Sequence, residues 1–148
     1  MPTQTSPSHA SRTTTGAVSQ LLQHASAHLR TLRERELVAF GMSGKHFAIL
    51  TAILEKGPMT QQTLSRLLNI DRTTMVKLVD DLERLGVGFR DVHPSDRRAF
   101  EVDVTAEGDL VFQEAAEAVA LAEQQFFGAI SGDERRLLQQ VLQRLLEA

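Results

Sequence analysis

The sequence predicts a mainly α-helical chain with one small β-hairpin, and three observations indicate this fold class. Apolar residues recur at helical spacing toward both ends of the chain. Near the middle, two short helical segments follow each other with a turn of only a few residues between them. Directly after the second segment, apolar and polar residues alternate, which is typical of strands. These features place a small helical unit and a hairpin between long terminal helices.

Composition limits the class of protein before any element is placed. The 148 residues carry a formal net charge of -3, are 42% hydrophobic and contain no cysteine. The lack of cysteine excludes disulfides and thiolate metal sites. No apolar run approaches the ~18 residues that a membrane helix needs, and the N-terminus lacks the apolar core of a secretory signal. We therefore expect one cytoplasmic domain with no membrane partner.

The charge is unevenly distributed along the chain. Residues 1–65 carry a net +3, residues 66–98 carry +1, and residues 99–148 carry -7. Exposed charges are screened beyond ~8 Å at physiological salt, so the acidic C-terminal third does not cancel a basic site elsewhere. The negative total therefore does not exclude a polyanion as partner.

The N-terminal third predicts an arm and two helices. Residues 1–15 are polar, rich in Pro, Ser and Thr, and without periodicity, which predicts a disordered arm. A long amphipathic helix follows to about Leu37. Ser43 is a suitable N-cap for a second helix, which Gly57 ends. The apolar positions predicted for that helix are Phe47, Ile49, Leu50, Ile53 and Leu54.

Two short helices come next. Thr60 can cap a helix that ends at Leu68, and residues 69–70 form a turn. Asp71 then caps the N-terminus of a helix that runs to Leu85. At this end the carboxylate complements the positive end of the helix dipole. This arrangement is a helix-turn-helix. The predicted inward side chains of the two helices are Leu64, Leu67, Leu68, Met75, Leu78, Val79, Leu82 and Leu85.

A β-hairpin follows Gly86. Residues 87–91 and 100–104 alternate with a period of two, and the stretch HPSDRR at 93–98 separates them. A hairpin directly after a helix-turn-helix is a wing. Arg97 and Arg98 lie at its tip, where Asp96 can orient one guanidinium through a bidentate pair.

The C-terminal part predicts two more helices and an association surface. Thr105 caps a long helix, and a capping box at residues 131–134 opens the last one. The apolar stripes of the first and the last two helices are wider than a small winged-helix core needs, so we predict that they pair with a second copy. The predicted organisation is a disordered arm (1–15) and a single domain (16–148), with dimerisation helices (16–40 and 106–148) around a winged helix-turn-helix lobe (43–105).

The helix that follows Asp71 presents a polar and basic face opposite its apolar stripe. The N-terminal half of a recognition helix contacts base edges in the major groove, where lysine can donate to guanine. A wing arginine suits the narrow minor groove of A·T-rich DNA. We therefore predict a site for double-stranded DNA formed by Arg72, Thr73, Thr74, Lys77, Arg84, Arg97 and Arg98.

These residues together resemble the MarR family of winged-helix transcription regulators. The resemblance lies in residues 50–112 and especially in the Asp-capped helix, the LVDDLE stretch at 78–83, the DRR turn at 96–98, and Thr105 with Gly108. The sequence departs from the family pattern at two positions of the hairpin, Gly88 and Asp103, which predicts a looser or differently aimed wing.

The resemblance implies a homodimer that reads a pseudo-palindromic operator, with residues 72–77 in the major groove, Arg97 in the minor groove and Arg98 bracing the wing. It implies a sequence-specific transcriptional regulator, a repressor that an aromatic or phenolic small molecule releases. Effectors of similar proteins bind between the dimer helices and the DNA-binding lobe. The candidate effector residues carried over to this chain are His28, Phe40, His46 and Phe47.

Other classes of function stay open at this point. A winged helix can instead serve as a dimerisation or protein-interaction module that does not bind DNA. No paired carboxylates, Ser/His/Asp set or glycine-rich phosphate loop supports an enzyme, and no cofactor is expected. His24 and His28 have a spacing that could bind a metal, but without a third ligand we predict no metal site.

Overall fold

A computed structural model describes residues 9–93 and 95–148. At residues 9–15, 93 and 96–99 it describes the backbone alone. Helices form most of the described chain. The helices of this part are α1 (His9–Val38), α2 (Gly44–Lys56), α3 (Gln61–Leu68), α4 (Arg72–Arg84), α5 (Ala106–Phe127) and α6 (Gly132–Glu147). The strands are β1 (Met59–Thr60), β2 (Gly88–His93) and β3 (Asp96–Val104). This order confirms the predicted mainly α fold with a helix-turn-helix and a hairpin wing.

The first helix is longer than predicted. The backbone of residues 9–15 is helical, so the expectation of a disordered arm is wrong there, and residues 1–8 lie outside the described residues. Composition misjudged this segment because extending an existing helix costs much less free energy than nucleating one.

Side-chain caps set the starts of five helices. In each case an oxygen of the N-cap side chain accepts a hydrogen bond from the backbone N–H three residues later. These bonds satisfy first-turn donors that have no partner within the helix. The N-cap residues are those predicted from sequence: Ser43, Thr60, Asp71, Thr105 and Ser131.

The wing belongs to a three-stranded antiparallel sheet with the order β1-β3-β2. β1 pairs with β3 in a register that places Met59 opposite Val102. The sequence does not predict β1, because a strand of two residues has no periodicity. Since β1 leads directly into α3, the sheet ties the base of the wing to the helix-turn-helix.

The core lies where α2, α3 and α4 meet the base of the sheet. The predicted inward stripe of α4 is confirmed at its first four positions but not at Leu85, which is 39% exposed and whose Cδ2 lies beside Gly41. Leu54 and Leu67 are exposed as well, because neither faces this core. The fully buried side chains are Leu37, Ile49, Leu50, Leu64, Met75, Val79, Leu82 and Val102.

The terminal helices are less covered than the core. α1 packs along α5, where His28 lies edge-on to Phe126 with ring centroids 5.5 Å apart. No residue of α6 is buried against the described part of the chain, and Leu146 is 86% exposed. None of the described helices combines the length and apolarity needed to cross a membrane.

Candidate nucleic-acid interface

A short turn and a carboxylate cap fix the start of α4. Asn69 adopts the left-handed conformation (φ 52°, ψ 48°), which asparagine tolerates better than most residues and which allows α3 and α4 to lie three residues apart. Asp71 Oδ2 accepts a hydrogen bond from the Thr74 N–H at 3.0 Å, and its Oδ1 accepts one from the Thr74 hydroxyl at 2.6 Å. The hydrogen bond from this hydroxyl, more than any other cause, holds the pKa of Asp71 below its ordinary value.

The predicted DNA-contacting residues of α4 separate into two groups. Arg72, Thr73 and Lys77 are exposed together on the first two turns. Thr74 is half-buried and donates its hydroxyl hydrogen to the cap, so only its oxygen lone pairs and methyl group remain for a ligand. Arg84 is about 18 Å along the axis from Arg72 at 1.5 Å per residue, and its guanidinium pairs with Asp81.

Lys45 extends the basic surface beyond α4. It is exposed in the first turn of α2, and its positive charge contributes to lowering the pKa of Asp71, which places it near the start of α4. Lys45 lies on α2, outside the helix-turn-helix of α3 and α4, so it adds a positive charge from a third helix beside the start of α4. Lys45 was not among the predicted site residues, although its place two residues after the Ser43 cap was a usable signal.

Arg90 holds the wing, the recognition helix and α3 together. Its Nε donates to Gln61 Oε1 at 2.7 Å, at the start of α3. Its terminal nitrogens donate to Glu83 Oε1 at 2.6 Å and to the Val76 carbonyl at 3.3 Å, and pair with Asp80 Oδ1 at 2.8 Å. The planar fork of an arginine suits several acceptors at fixed directions. Arg90 was not among the predicted site residues, because apolar Val87 and Phe89 alternate with Gly88 and Arg90 and the sequence alone does not show that the Gly88 face is the inner one.

The Arg90 contacts explain the acids in the second half of α4. Asp80 and Glu83 would weaken a DNA surface by repelling phosphate, but both carboxylates pair with the Arg90 guanidinium. Gly88 is part of the same arrangement. A Cβ at this buried position would lie 3.2 Å from Leu82 Cβ, so the glycine lets β2 approach α4 closely. Gly88 therefore seats the base of the wing against the recognition helix, and a looser or differently aimed wing stays a prediction.

The wing arginines lie in an irregular part of β3. Val92 pairs with Phe100 and the next residue, His93, pairs with Asp96, so residues 97–99 bulge out of the register. Arg97 and Arg98 therefore follow the turn and lie within this bulge. Bulges bend a strand and redirect its side chains. The side chains of Arg97 and Arg98 lie outside the described part of the chain.

The four candidate effector residues do not come together. Phe47 stacks on Phe112 with centroids 4.9 Å apart and lines a cavity of about 350 Å³ between α1, α2 and α3. His28 lines a different cavity of about 550 Å³ beside Phe126. Phe40 is half-buried against the core, and the buried His46 ring uses both nitrogens in contacts within the protein. The cavity beside Phe47 lies between a terminal helix and the helix-turn-helix.

The described residues thus form a winged helix-turn-helix with a capped, basic recognition helix. A model of the MarR family matches residues 40–99. A putative transcriptional regulatory protein for the hcr operon of Thauera aromatica is 32% identical over 116 residues, which cover 78% of this chain and 68% of the relative. The chain belongs to the MarR family and is a transcriptional regulator.

Solved structures have the same fold. A mutant MarR from E. coli complexed with operator DNA matches with a TM-score of 0.78 and 21% identity, over 88% of this chain and 94% of that chain. CouR from Rhodococcus jostii RHA1, bound to p-coumaroyl-CoA, matches with a TM-score of 0.73 and 25% identity, over 86% of this chain and 90% of that chain.

Arg90 can be tested by substitution with lysine. We expect Arg90→Lys to lower the free energy of unfolding by about 1–3 kcal/mol, because one ammonium cannot reach all the acceptors that the guanidinium serves. Urea unfolding measures this loss, and faster amide exchange in residues 89–92 would place it in the wing. Arg66→Lys, at an exposed position of α3, is the control. Unchanged stability and exchange in Arg90→Lys would show that the contacts do not hold the wing.

Proposed function

We propose that the protein binds double-stranded DNA as a homodimer and represses transcription until a small-molecule effector releases it. The observation that carries this proposal is the exposed set of Arg72, Thr73 and Lys77 on a helix whose start is fixed by Asp71. A helix held in this way presents basic side chains to a groove without the entropy cost of ordering its backbone on binding. A regulator with this partner acts in the cytoplasm.

In the proposed complex, the N-terminal half of α4 enters the major groove. Lys77 contacts a base edge, Arg72 and Thr73 contact bases or phosphates, and Lys45 contacts the backbone beside them. The wing lies over the adjacent minor groove, where Arg97 is the proposed probe and Arg98 braces the hairpin. Arg84 contributes to the positive field only, because it is paired with Asp81 at the far end of α4.

The exposed apolar side chains of the terminal helices support a homodimer. α6 is amphipathic and well capped, yet no residue of it is buried against the described part of the chain. A helix of this length is marginal in water without tertiary packing. The exposed apolar residues on α1 and α6 include Leu21, Leu22, Leu137, Leu145 and Leu146. A second copy would cover these side chains and place two α4 helices on one duplex, which suits a pseudo-palindromic operator.

Selection from random duplex DNA tests the proposal. The protein should enrich a site with two related halves, and its affinity should fall by roughly 10³ to 10⁵ between about 50 and 200 mM salt if six to ten phosphates are contacted. Gel shifts measure the affinity, and sedimentation tests whether two subunits bind each duplex. Failure to enrich any sequence, at low as well as high salt, would favour a protein-interaction module that does not bind DNA.

Two substitutions should affect recognition differently. Lys77→Ala should reduce discrimination at one base pair by about 1–3 kcal/mol, because a base-edge contact is lost. Arg97→Ala should mainly reduce affinity for sites flanked by A·T pairs, because the narrow minor groove attracts the arginine. Competition gel shifts on the selected site and its single-base variants measure both effects. Equal losses on selected and random DNA would show that neither residue reads sequence.

The cavity beside Phe47 is the proposed effector site. Arg33 of α1 borders it, with its guanidinium carbon 6.0 Å from the centroid of the Phe47 ring. Arg33 Nε is buried, makes no hydrogen bond within the described residues, and lies 3.6 Å from Glu123 Oε1. A cation beside an aromatic ring suits an aromatic anion. The CouR complex with p-coumaroyl-CoA is consistent with this class, although a cavity of about 350 Å³ would take only part of such a molecule.

The effector proposal is tested with p-coumarate and p-coumaroyl-CoA as probes and coenzyme A as the control. We expect an aromatic probe to release the DNA complex and to bind Arg33→Gln at least about 10-fold more weakly, because a charge-assisted contact is lost. Arg30→Gln, at an exposed position one turn earlier on α1, is the matched variant. Probe binding that is equally weak or strong in both variants would place the effector elsewhere.

A further inference from the structure

Three hydrogen bonds, joined by the backbone of residues 43–46, connect α1 to the recognition helix α4. In the first, the Gly44 N–H donates to Glu34 Oε1 at 2.7 Å, which joins α1 to the first turn of α2. A Cβ at position 44 would lie only 2.4 Å from the same oxygen, so a larger residue there would displace the Glu34 carboxylate from its present position. Glu34 therefore satisfies an N–H at the start of α2 that has no partner within the helix.

His46 continues the connection within α2. Its Nδ1 accepts a hydrogen bond from the Ser43 N–H at 2.9 Å, while the Ser43 hydroxyl oxygen caps the His46 N–H. This is a capping box in which histidine takes the place usually held by glutamate or glutamine. Since a backbone N–H can only donate, Nδ1 carries no proton in this contact, and Nε2 carries the ring hydrogen.

The Nε2 hydrogen of His46 reaches the recognition helix. It points to Asp81 Oδ2, which lies 2.9 Å from Nε2, and the His46 residue is only 8% exposed. Hydrogen bonding by His46 is the largest cause that lowers the pKa of Asp81, and the charge of Arg84 contributes less. Asp81 is therefore ionised at neutral pH and accepts this bond as a carboxylate. It lies one turn after Lys77 on α4.

These bonds constrain the position of α2 relative to α4 more closely than the shared apolar core does. α2 and α4 also pack through buried aliphatic side chains, but burial of apolar surface is not directional. A hydrogen bond with a defined donor and acceptor is directional, so it restricts the rotation and axial position of one helix against the other. A histidine that bonds at both nitrogens can transmit the position of α2, and through Glu34 that of α1, to the recognition helix.

We propose that Glu34, Ser43, His46 and Asp81 are positioning residues for DNA recognition, and that the His46–Asp81 bond sets the pose of α4 relative to α1. The inference rests on the proposed DNA-binding function and deepens it. In a dimer joined through α1, such a connection would determine how accurately the two recognition helices fit successive grooves. Loss of the bond would then reduce specific binding more than non-specific binding, because non-specific binding depends on charge and tolerates a displaced helix.

Two substitutions of His46 separate positioning from helix capping. Glutamine and glutamate both complete a capping box with Ser43, so H46Q and H46E both preserve the start of α2. The new glutamine can also donate its amide hydrogen to Asp81, whereas the new glutamate places a second carboxylate against it. We expect H46Q to keep the ratio of specific to non-specific DNA affinity within about 3-fold, and H46E to reduce it by about 10-fold or more, within the range of coupling between sites. H24Q, at an exposed histidine of α1, is the control.

A double variant provides the rescue. In H46E/D81N, the introduced asparagine amide on α4 can donate to the introduced carboxylate on α2, so we expect the specificity ratio to recover toward the wild-type value. D81A, which leaves the capping box intact, should lower the ratio as H46E does, and it serves as the test if H46E does not fold. All affinities are measured at a temperature well below the thermal unfolding midpoint of each variant. The DNA is the site selected by the wild-type protein and, for comparison, random duplex.

The outcomes distinguish this inference from the proposed function. If the wild-type protein selects no site, the proposed function fails. If it selects a site and folded H46E and D81A keep the wild-type specificity ratio, the positioning role is wrong and the bond only stabilises the fold. A low ratio in both variants, with recovery in H46E/D81N, supports the positioning role.

Discussion

The recognition surface of this protein depends on the Arg90 guanidinium. One side chain of the wing contacts the start of α3, the backbone of α4 and two carboxylates of α4. Each isolated contact at a partly exposed site contributes little to stability, but a planar group with fixed donor directions constrains all of its partners together. The wing, the turn and the recognition helix therefore form one unit, and the acids of α4 become part of its support.

The fold was largely predictable because local signals and the global arrangement agree. Each N-cap residue that the sequence indicated occupies that role, and the change of period after Gly86 marks the hairpin. Agreement between local preference and tertiary structure is what a sequence with one stable fold requires. The errors in the number and bounds of the elements occur where no local signal exists. β1 is too short to show a period, and the start of α1 depends on propagation from a helix already formed.

The candidate site was predictable in outline and less so in its contacts. The exposed face of α4 follows from helical geometry, so Thr73 and Lys77 lie where the wheel places them. The contacts of Arg90, His46 and Lys45 join residues that are far apart in sequence or lie on different elements, and no periodicity encodes them. His46 illustrates this limit. From sequence it was a candidate effector residue, but in the structure both ring nitrogens make contacts within the protein.

The exposed state of α6 has a consequence for how this regulator would respond to its own abundance. A sixteen-residue helix with no buried side chain in the described chain gains little packing energy from its own chain and would gain most of it from another molecule. If subunits associate through this surface, dilution would fray the C-terminal segment before it disturbs the core around Ile49. Helical content at the C-terminus would then report subunit association. A higher concentration of the protein would order this segment even at a constant concentration of ligand.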